Sequence, residues 1–132
     1  MKFIISLALL LLLTGCATSS GVRNAPIDAG HSKHFDAPYA EVKDAALYST
    51  QILGVQIKGA YESEQAYQID FEKGMSLASN GEIGRVMVFD SDPGSLVRVY
   101  SEKRSKYQIT GTDNEEFAFS IFMGIEQALI DD

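Results

Sequence analysis

The sequence predicts an α+β domain, a two-layer sandwich in which an N-terminal and a C-terminal helix pack on one face of an antiparallel four-stranded meander. Apolar residues recur every three to four positions between residues 36 and 54, alternate with polar ones across much of 55–100, and recur every three to four positions between 116 and 129. Helices and strands of this kind must each bury one apolar side. The 132 residues suffice for one compact domain, which we place at 35–132.

The first helix is expected to follow Asp36, a good N-cap residue, with Pro38 in its first turn and Gly54 at its end. Its apolar face comprises Tyr39, Val42, Ala45, Ala46, Ser49, Ile52 and Leu53. The charged residues between them lie off this face, so we expect the helix to rest on a sheet.

Two strands are expected at residues 55–59 and 67–71, where apolar and polar side chains alternate. The alternation places Asp70 and Glu72 on the face that we expect to be exposed. A longer loop, rich in Gly and Ser, is expected at residues 72–84.

A hairpin is expected next, with strands at residues 85–89 and 96–100. Asp92-Pro93-Gly94-Ser95 separates them, and Pro at the second and Gly at the third position suit a type II turn. The second strand can bend and continue through Tyr107 and Ile109.

The last element is expected to be a helix, because Thr112 with Glu115, or Asp113 with Glu116, has the spacing of a capping box. Its apolar stripe comprises Phe117, Ala118, Ile121, Phe122, Ile125, Ala128 and Leu129. A glycine inside a helix costs up to about 1 kcal/mol relative to alanine, so Gly124 predicts close packing at that point.

Charge and cysteine content exclude several classes of function. The formal net charge is −7, and an acidic surface repels phosphate backbones, so we expect no nucleic-acid partner. Cys16 is the only cysteine, which rules out an intramolecular disulfide or a cysteine-based metal site.

The first sixteen residues have the order of a secretory signal: a basic residue (Lys2), an apolar block from Phe3 to Leu13, and small residues before Cys16. The block is shorter than the roughly 20 apolar residues of a spanning helix. Leu13-Thr14-Gly15-Cys16 resembles the signal of bacterial lipoproteins, an aliphatic residue, a small residue, Gly or Ala, and Cys. The alternative is an ordinary secretory signal with a coincidental cysteine.

The lipoprotein resemblance implies removal of a signal peptide at residues 1–15 and attachment of diacylglycerol to the thiol of Cys16. It also implies acylation of the new amine, for example by palmitate, and hence a membrane anchor. Ala17 in place of an aspartate favours the outer membrane, facing the periplasm. Residues 16–34 are expected to be the lipidated cysteine and a flexible tether, because they are rich in Ser, Gly and Ala and show no helical or strand period.

A second resemblance concerns the domain itself. Small periplasmic lipoprotein domains begin with a motif similar to the "FDAPYAEVKDAAL" that opens residues 35–54, and they end in a Phe-rich helix like residues 116–129. The shared positions are core and capping residues, so the resemblance implies a fold and no activity.

The search for catalytic and metal-binding residues yields weak candidates. His31 and His34 would meet a metal on one helical turn with Asp36 as a third ligand, but they lie in the expected tether and no other His or Cys completes the site. Asp70 and Glu72 have the proximity of paired carboxylates, although solvated strand charges explain them better. We therefore predict no enzyme, no metal and no cofactor.

A basic segment is the stronger candidate for binding. It contains Arg98, Lys103, Arg104 and Lys106, with tyrosines between them, and would dock an anionic partner. The competing interpretation is a solvated connection between strands.

These features favour a membrane-anchored, non-enzymatic structural or interaction module of the bacterial cell envelope, with another envelope protein as its partner. The alternative is a module that binds a small apolar or anionic ligand between the sheet and the helices. A hydrolase is the least supported class.

Overall fold

The computed structural model describes residues 19–74, 81–103 and 114–131. Along the chain, the elements are α1 (Ser19–Arg23), β1 (His31–Phe35), α2 (Tyr39–Ile52), β2 (Gln56–Glu62), β3 (Tyr67–Lys73), β4 (Glu82–Asp90), β5 (Ser95–Lys103) and α3 (Asn114–Asp131). The α+β class predicted from the sequence is confirmed.

One open antiparallel sheet holds five strands in the order β1-β5-β4-β3-β2. The predicted meander corresponds to β2 through β5, but the expected number of four strands is wrong because β1 pairs with β5 at the edge. In β1 only Phe35 is buried, so the strand has no apolar alternation. Its backbone pairing places it in the sheet, and backbone groups leave no mark in a sequence.

The interpretation of residues 16–34 as a flexible tether is wrong for the part that the structure describes. Residues 19–23 form α1, and residues 31–34 belong to β1. Val22 is 1% exposed, and α1 contacts β4 and β5. Cys16 lies outside the described residues.

The main core lies between the sheet and the two longer helices, α2 and α3, which also contact each other. Phe71 of β3 stacks on Phe117 of α3 with 5.0 Å between ring centroids. A Cβ atom on Gly84 would lie 2.2 Å from Cζ of Phe71, so the neighbouring strand must carry a glycine to admit this ring. The core residues on the sheet are Phe35, Ile69, Phe71, Val86, Val88, Val97 and Val99.

The two longer helices approach most closely where Ser49 meets Gly124. A Cβ atom on Gly124 would lie 2.1 Å from Oγ of Ser49, and that hydroxyl donates a hydrogen bond to the carbonyl oxygen of Ile121 at 3.0 Å. The close packing predicted at Gly124 is confirmed.

The boundaries of α2 agree with the sequence at one end only. Pro38 is the N-cap residue and makes no side-chain capping bond, so Asp36 is not the cap that the sequence predicted. The predicted end is confirmed, because Gly54 adopts a φ of +74° and its N–H donates to the carbonyl oxygen of Gln51 at 3.3 Å.

Two loops differ from those predicted from the sequence, the hairpin loop before β5 and the loop between β3 and β4. Asp90 pairs with Ser95, and the N–H of Ser91 donates to the carbonyl oxygen of Gly94 at 3.0 Å, so residues 91–94 form the hairpin loop and the predicted type II turn is wrong. The loop predicted at 72–84 loses residues at both ends, to β3 and to β4. The predicted extension of β5 through Tyr107 and Ile109 and the capping boxes at Thr112 and Asp113 lie outside the described residues.

Candidate functional site

A β-bulge in β2 determines which side chains reach the outer face of the sheet, the face opposite α2 and α3. Ile57 lies opposite Phe71 and Gly59 opposite Asp70, so Lys58 is an extra residue in the ladder. An extra residue reverses the alternation beyond it. Tyr61 is consequently turned to the outer face, although simple alternation would have put it on the side of Ile57.

Asp70 lies on this outer face and is only 8% exposed, so the expectation of a solvated strand carboxylate is wrong. The hydroxyl of Tyr61 donates to Oδ2 at 3.0 Å, and Nε2 of Gln68 donates to Oδ1 at 2.8 Å. Nε of Arg23 is 3.3 Å from the same Oδ2. Burial, and then the hydrogen bond to Asp70, raise the pKa of Tyr61 above its usual value. Both oxygens of Asp70 are thus engaged by neighbours.

Glu72, the other member of the suggested carboxylate pair, points to a different partner. Its Oε2 is 3.9 Å from Nζ of Lys58, the bulged residue. The two carboxylates therefore serve separate contacts.

Arg85 of β4 is the central residue of the outer face and is 3% exposed. Its guanidinium donates to the carbonyl oxygens of Arg23 at 3.2 Å, of Ala25 at 2.8 Å, and of Pro26. Burial lowers the pKa of Arg85 below its usual value, but an arginine retains its charge in proteins. One cation therefore binds three backbone carbonyls within residues 23–26.

The remainder of that segment is held along β5. Nη1 of Arg98 donates to the carbonyl oxygen of Ile27 at 2.9 Å, and its guanidinium lies 5.8 Å from the ring centroid of Phe89. Gly30 has a φ of +99°, and a Cβ atom there would lie 2.2 Å from the carbonyl oxygen of Val99. We call residues 19–30, which cross the outer face in this way, the strap.

The predicted basic patch is not assembled by the described residues. Arg98 binds the strap on the outer face, whereas Lys103 lies five positions along β5, on the opposite side of the strand by alternation and roughly 17 Å away. Arg104 and Lys106 lie outside the described residues. Between the two described basic residues, the hydroxyl of Tyr100 donates to Glu102. Burial and this bond raise the pKa of Tyr100 to about 12.

The histidines do not have the geometry of a helical metal site. His31 and His34 belong to a strand, where residues three apart point to opposite faces. Nε2 of His34 is 2.6 Å from the carbonyl oxygen of Pro93. Within residues 19–74, 81–103 and 114–131, no group of three or more His, Cys, Asp and Glu side chains is close enough to hold a metal ion.

A cavity of about 310 Å³ opens on the solvent side of the helix pair, and not between the sheet and the helices. Asp44, Ala45 and Tyr48 of α2 line it, together with Ala128 and Asp131 of α3. It combines two carboxylates with a phenol ring and two methyl groups.

Comparison with known proteins finds no family model that matches this chain and no significantly similar curated protein. In the part of the chain that the structure describes, no helix combines the length and the apolar character needed to cross a bilayer.

Sequence reasoning missed Arg85, Tyr61 and Arg23 as members of one cluster. A signal was present for Arg85, because it stands in β4 between Ile83 and Met87, which share its face by alternation. Apolar residues on both sides of an arginine on the outer face indicate that this face of the sheet is covered. No signal marked Tyr61, because the bulge depends on pairing between strands.

Proposed function

We propose that this chain is a lipoprotein anchored through Cys16 in the outer membrane of a bacterium, where it faces the periplasm as a non-enzymatic interaction module. The observation that carries the proposal is the sequence Leu13-Thr14-Gly15-Cys16 at the end of a short apolar block that follows a basic residue. Lipid chains on this cysteine supply the membrane affinity, because each buried methylene adds roughly 0.8 kcal/mol.

The ordered strap favours a short connection between the lipid on Cys16 and the folded domain. Three Cα-to-Cα steps separate Cys16 from Ser19, the first residue of α1, and each step spans about 3.8 Å. A lipidated Cys16 therefore lies within roughly 11 Å of the strap, which Arg85 and Arg98 bind to the sheet. In this proposal the domain rests near the bilayer with its outer face towards the membrane, and does not move at the end of a long tether.

The arrangement of polar groups supports a non-enzymatic role. Asp70, Arg85 and Arg98 use their hydrogen bonds to fasten the strap or its neighbours. Ligand binding between the sheet and the helices receives less support, because Phe71 and Phe117 fill that space by stacking on each other. We therefore expect partners to bind the exposed surface and not the space between the sheet and the helices.

The anchor is tested by substituting Cys16→Ser in cells fed an alkyne analogue of palmitate. We expect the wild-type chain to carry the label and to partition into the detergent phase. Its mass should be that of a mature chain whose first residue is a diacylglyceryl Cys16. The Cys16→Ser variant should carry no label and keep its signal peptide. Thr18→Ser is the matched control, because it changes a neighbouring hydroxyl residue and should retain label and processing. A labelled, normally processed Cys16→Ser protein would refute the proposal.

The choice of membrane is tested separately by density-gradient fractionation. We expect the wild-type chain in outer-membrane fractions and the Ala17→Asp variant in inner-membrane fractions. Wild-type protein in the inner membrane would overturn the outer-membrane assignment while leaving the lipid anchor intact.

A further inference from the structure

The solvent side of the helix pair carries large exposed apolar side chains. Tyr48 and Ile52 of α2 and Phe119, Met123 and Ile130 of α3 are each more than half exposed. Single exposed apolar residues are ordinary, but these lie on two helices that pack together, and those of α3 recur at helical spacing. We call these five residues the helix-layer face.

The cavity beside this face has the composition of a site for a long basic side chain. Ala45 and Ala128 offer methyl groups to an aliphatic stem, and Asp44 and Asp131 offer carboxylates to a cation. The ring of Tyr48 also lines the cavity and can attract a guanidinium or ammonium group by a cation–π interaction. Its volume of about 310 Å³ is ample for one side chain of this kind.

The charges of the two longer helices also favour a basic partner. The described side chains of α2 and α3 include six acidic residues: Glu41, Asp44, Glu115, Glu116, Glu126 and Asp131. Lys43 is the one basic residue of these helices, and its Nζ contacts Glu62 and the ring of Tyr39. Glu126 is paired with Lys33 of β1, whereas Asp44 and Asp131 line the cavity. A partner that places cations at the edges of an apolar strip would match this surface.

We propose that the helix-layer face docks an amphipathic, basic helical segment of another envelope protein, with one Lys or Arg side chain in the cavity. A helix fits because two packed helices present a groove that takes a third by ridge-into-groove packing. A second copy of this chain fits poorly, since two surfaces of a protein with net charge −7 would repel each other. This inference rests on the proposed function for the position of the partner. The strap holds the anchor on the outer face of the sheet, so the helix-layer face points away from the membrane.

The test measures binding of the mature full-length protein, in detergent, to a synthetic helical peptide of Leu and Lys at amphipathic spacing. A Leu and Glu peptide of the same pattern is the peptide control. We expect only the Leu and Lys peptide to bind. The double variant Asp44→Asn/Asp131→Asn should bind it roughly tenfold more weakly, because two partly exposed ion pairs are lost.

The matched control for charge is Glu64→Gln/Asp92→Asn, which removes two exposed carboxylates that do not line the cavity. Its net charge equals that of the Asp44→Asn/Asp131→Asn variant. It should bind as the wild type does. A second variant, Tyr48→Ala, should weaken binding severalfold without changing the charge. Thermal unfolding of each variant confirms that it is folded.

Several outcomes would overturn the inference. Equal weakening by the two charge variants would mean nonspecific attraction. Dimerisation in analytical ultracentrifugation that depends on Tyr48 and Met123 would assign the face to a second copy. Binding of the unlipidated Cys16→Ser protein to anionic phospholipid vesicles, if abolished by the same substitutions, would assign it to a membrane. The two proposals fail separately: absence of lipid on Cys16 would refute the anchor alone, and binding of the Leu and Lys peptide by that protein would still support the docking face.

Discussion

Arg85, in the middle of the sheet, donates a hydrogen bond of 2.8 Å to the backbone carbonyl oxygen of Ala25, 60 residues earlier in the chain. This bond and its neighbours convert a segment with the composition of a linker into an ordered layer on the sheet. Hydrogen bonds from a charged donor contribute more than neutral ones, and the carbonyls of the strap would otherwise need water. The placement of residues 23–26 of the strap therefore depends on one buried cation.

Substitution Arg85→Met should release the strap while keeping the length of the side chain. We expect the free energy of unfolding to fall by about 2 to 3 kcal/mol, because the variant loses charge-assisted bonds and leaves carbonyl oxygens unpaired. Amide hydrogen exchange should accelerate in residues 21–30 before it changes in β3 or β4. Lys58→Met, at an exposed cation of the same sheet, is the control and should leave exchange in the strap unchanged. Unaltered protection of the strap in Arg85→Met would contradict this role.

Substitution Gly30→Ala should dislodge the end of the strap. Gly30 has a φ of +99°, a backbone conformation that is strained for any residue with a side chain. The new methyl group would also collide with the carbonyl oxygen of Val99. We expect a loss of about 1 to 3 kcal/mol in chemical denaturation. Gly74→Ala is the matched control, because a Cβ atom there meets nothing within 4 Å, and it should stay within about 0.5 kcal/mol of wild type. Equal stability of the two variants would be inconsistent with the close approach.

Substitution Gly124→Ala should destabilise the protein despite alanine's better helix propensity. Overpacking against Ser49 costs about 1 to 3 kcal/mol, and the propensity gain returns about 1 kcal/mol. We expect a net loss of up to about 2 kcal/mol in the wild-type background. In the Ser49→Ala background the cost should shrink, because the hydroxyl that the new methyl group would strike at 2.1 Å is absent. A double-mutant cycle with no coupling between the two sites would rule out this contact as the cause.

Alkaline pH should weaken the fold through two tyrosines. Burial and hydrogen bonds to Glu102 and Glu62 raise the pKa of Tyr100 and of Tyr39, respectively, from 10.0 to about 12. Between these values the folded state holds protons that the unfolded chain releases, so the stabilisation is complete below pH 10 and is lost as the pH rises towards 12.

Tyrosinate absorbance measures this directly. We expect the wild type to contain phenols that titrate near pH 12, and Tyr100→Phe to remove one of them. The same variant should show a smaller decline of stability between pH 10 and 12. Tyr48→Phe is the control for the loss of a phenol hydroxyl, because Tyr48 is 56% exposed. A single transition near the usual pKa for every tyrosine would exclude the raised values.

Elements with a local signal could be predicted from the amino-acid sequence. Apolar spacing marked α2, α3 and the strands from β2 to β5, because burial of one face imposes a period on the residues of that element alone. Gly54 and Gly124 were also interpretable alone, since a helix end or a tight crossing requires the absence of a Cβ atom. The motif that ends at Cys16 supports a prediction of lipidation in the same local way.

The segment that covers the outer face could not be predicted in this way, because it is fixed by contacts between distant parts of the folded chain. The strap is held through backbone carbonyls, which every residue possesses, so the sequence of residues 19–30 does not reveal that Arg85 binds them. The bulge at Lys58 arises from pairing between two strands, and it alone brings Tyr61 to Asp70. Both features depend on contacts between distant residues, and no period within one element records such contacts.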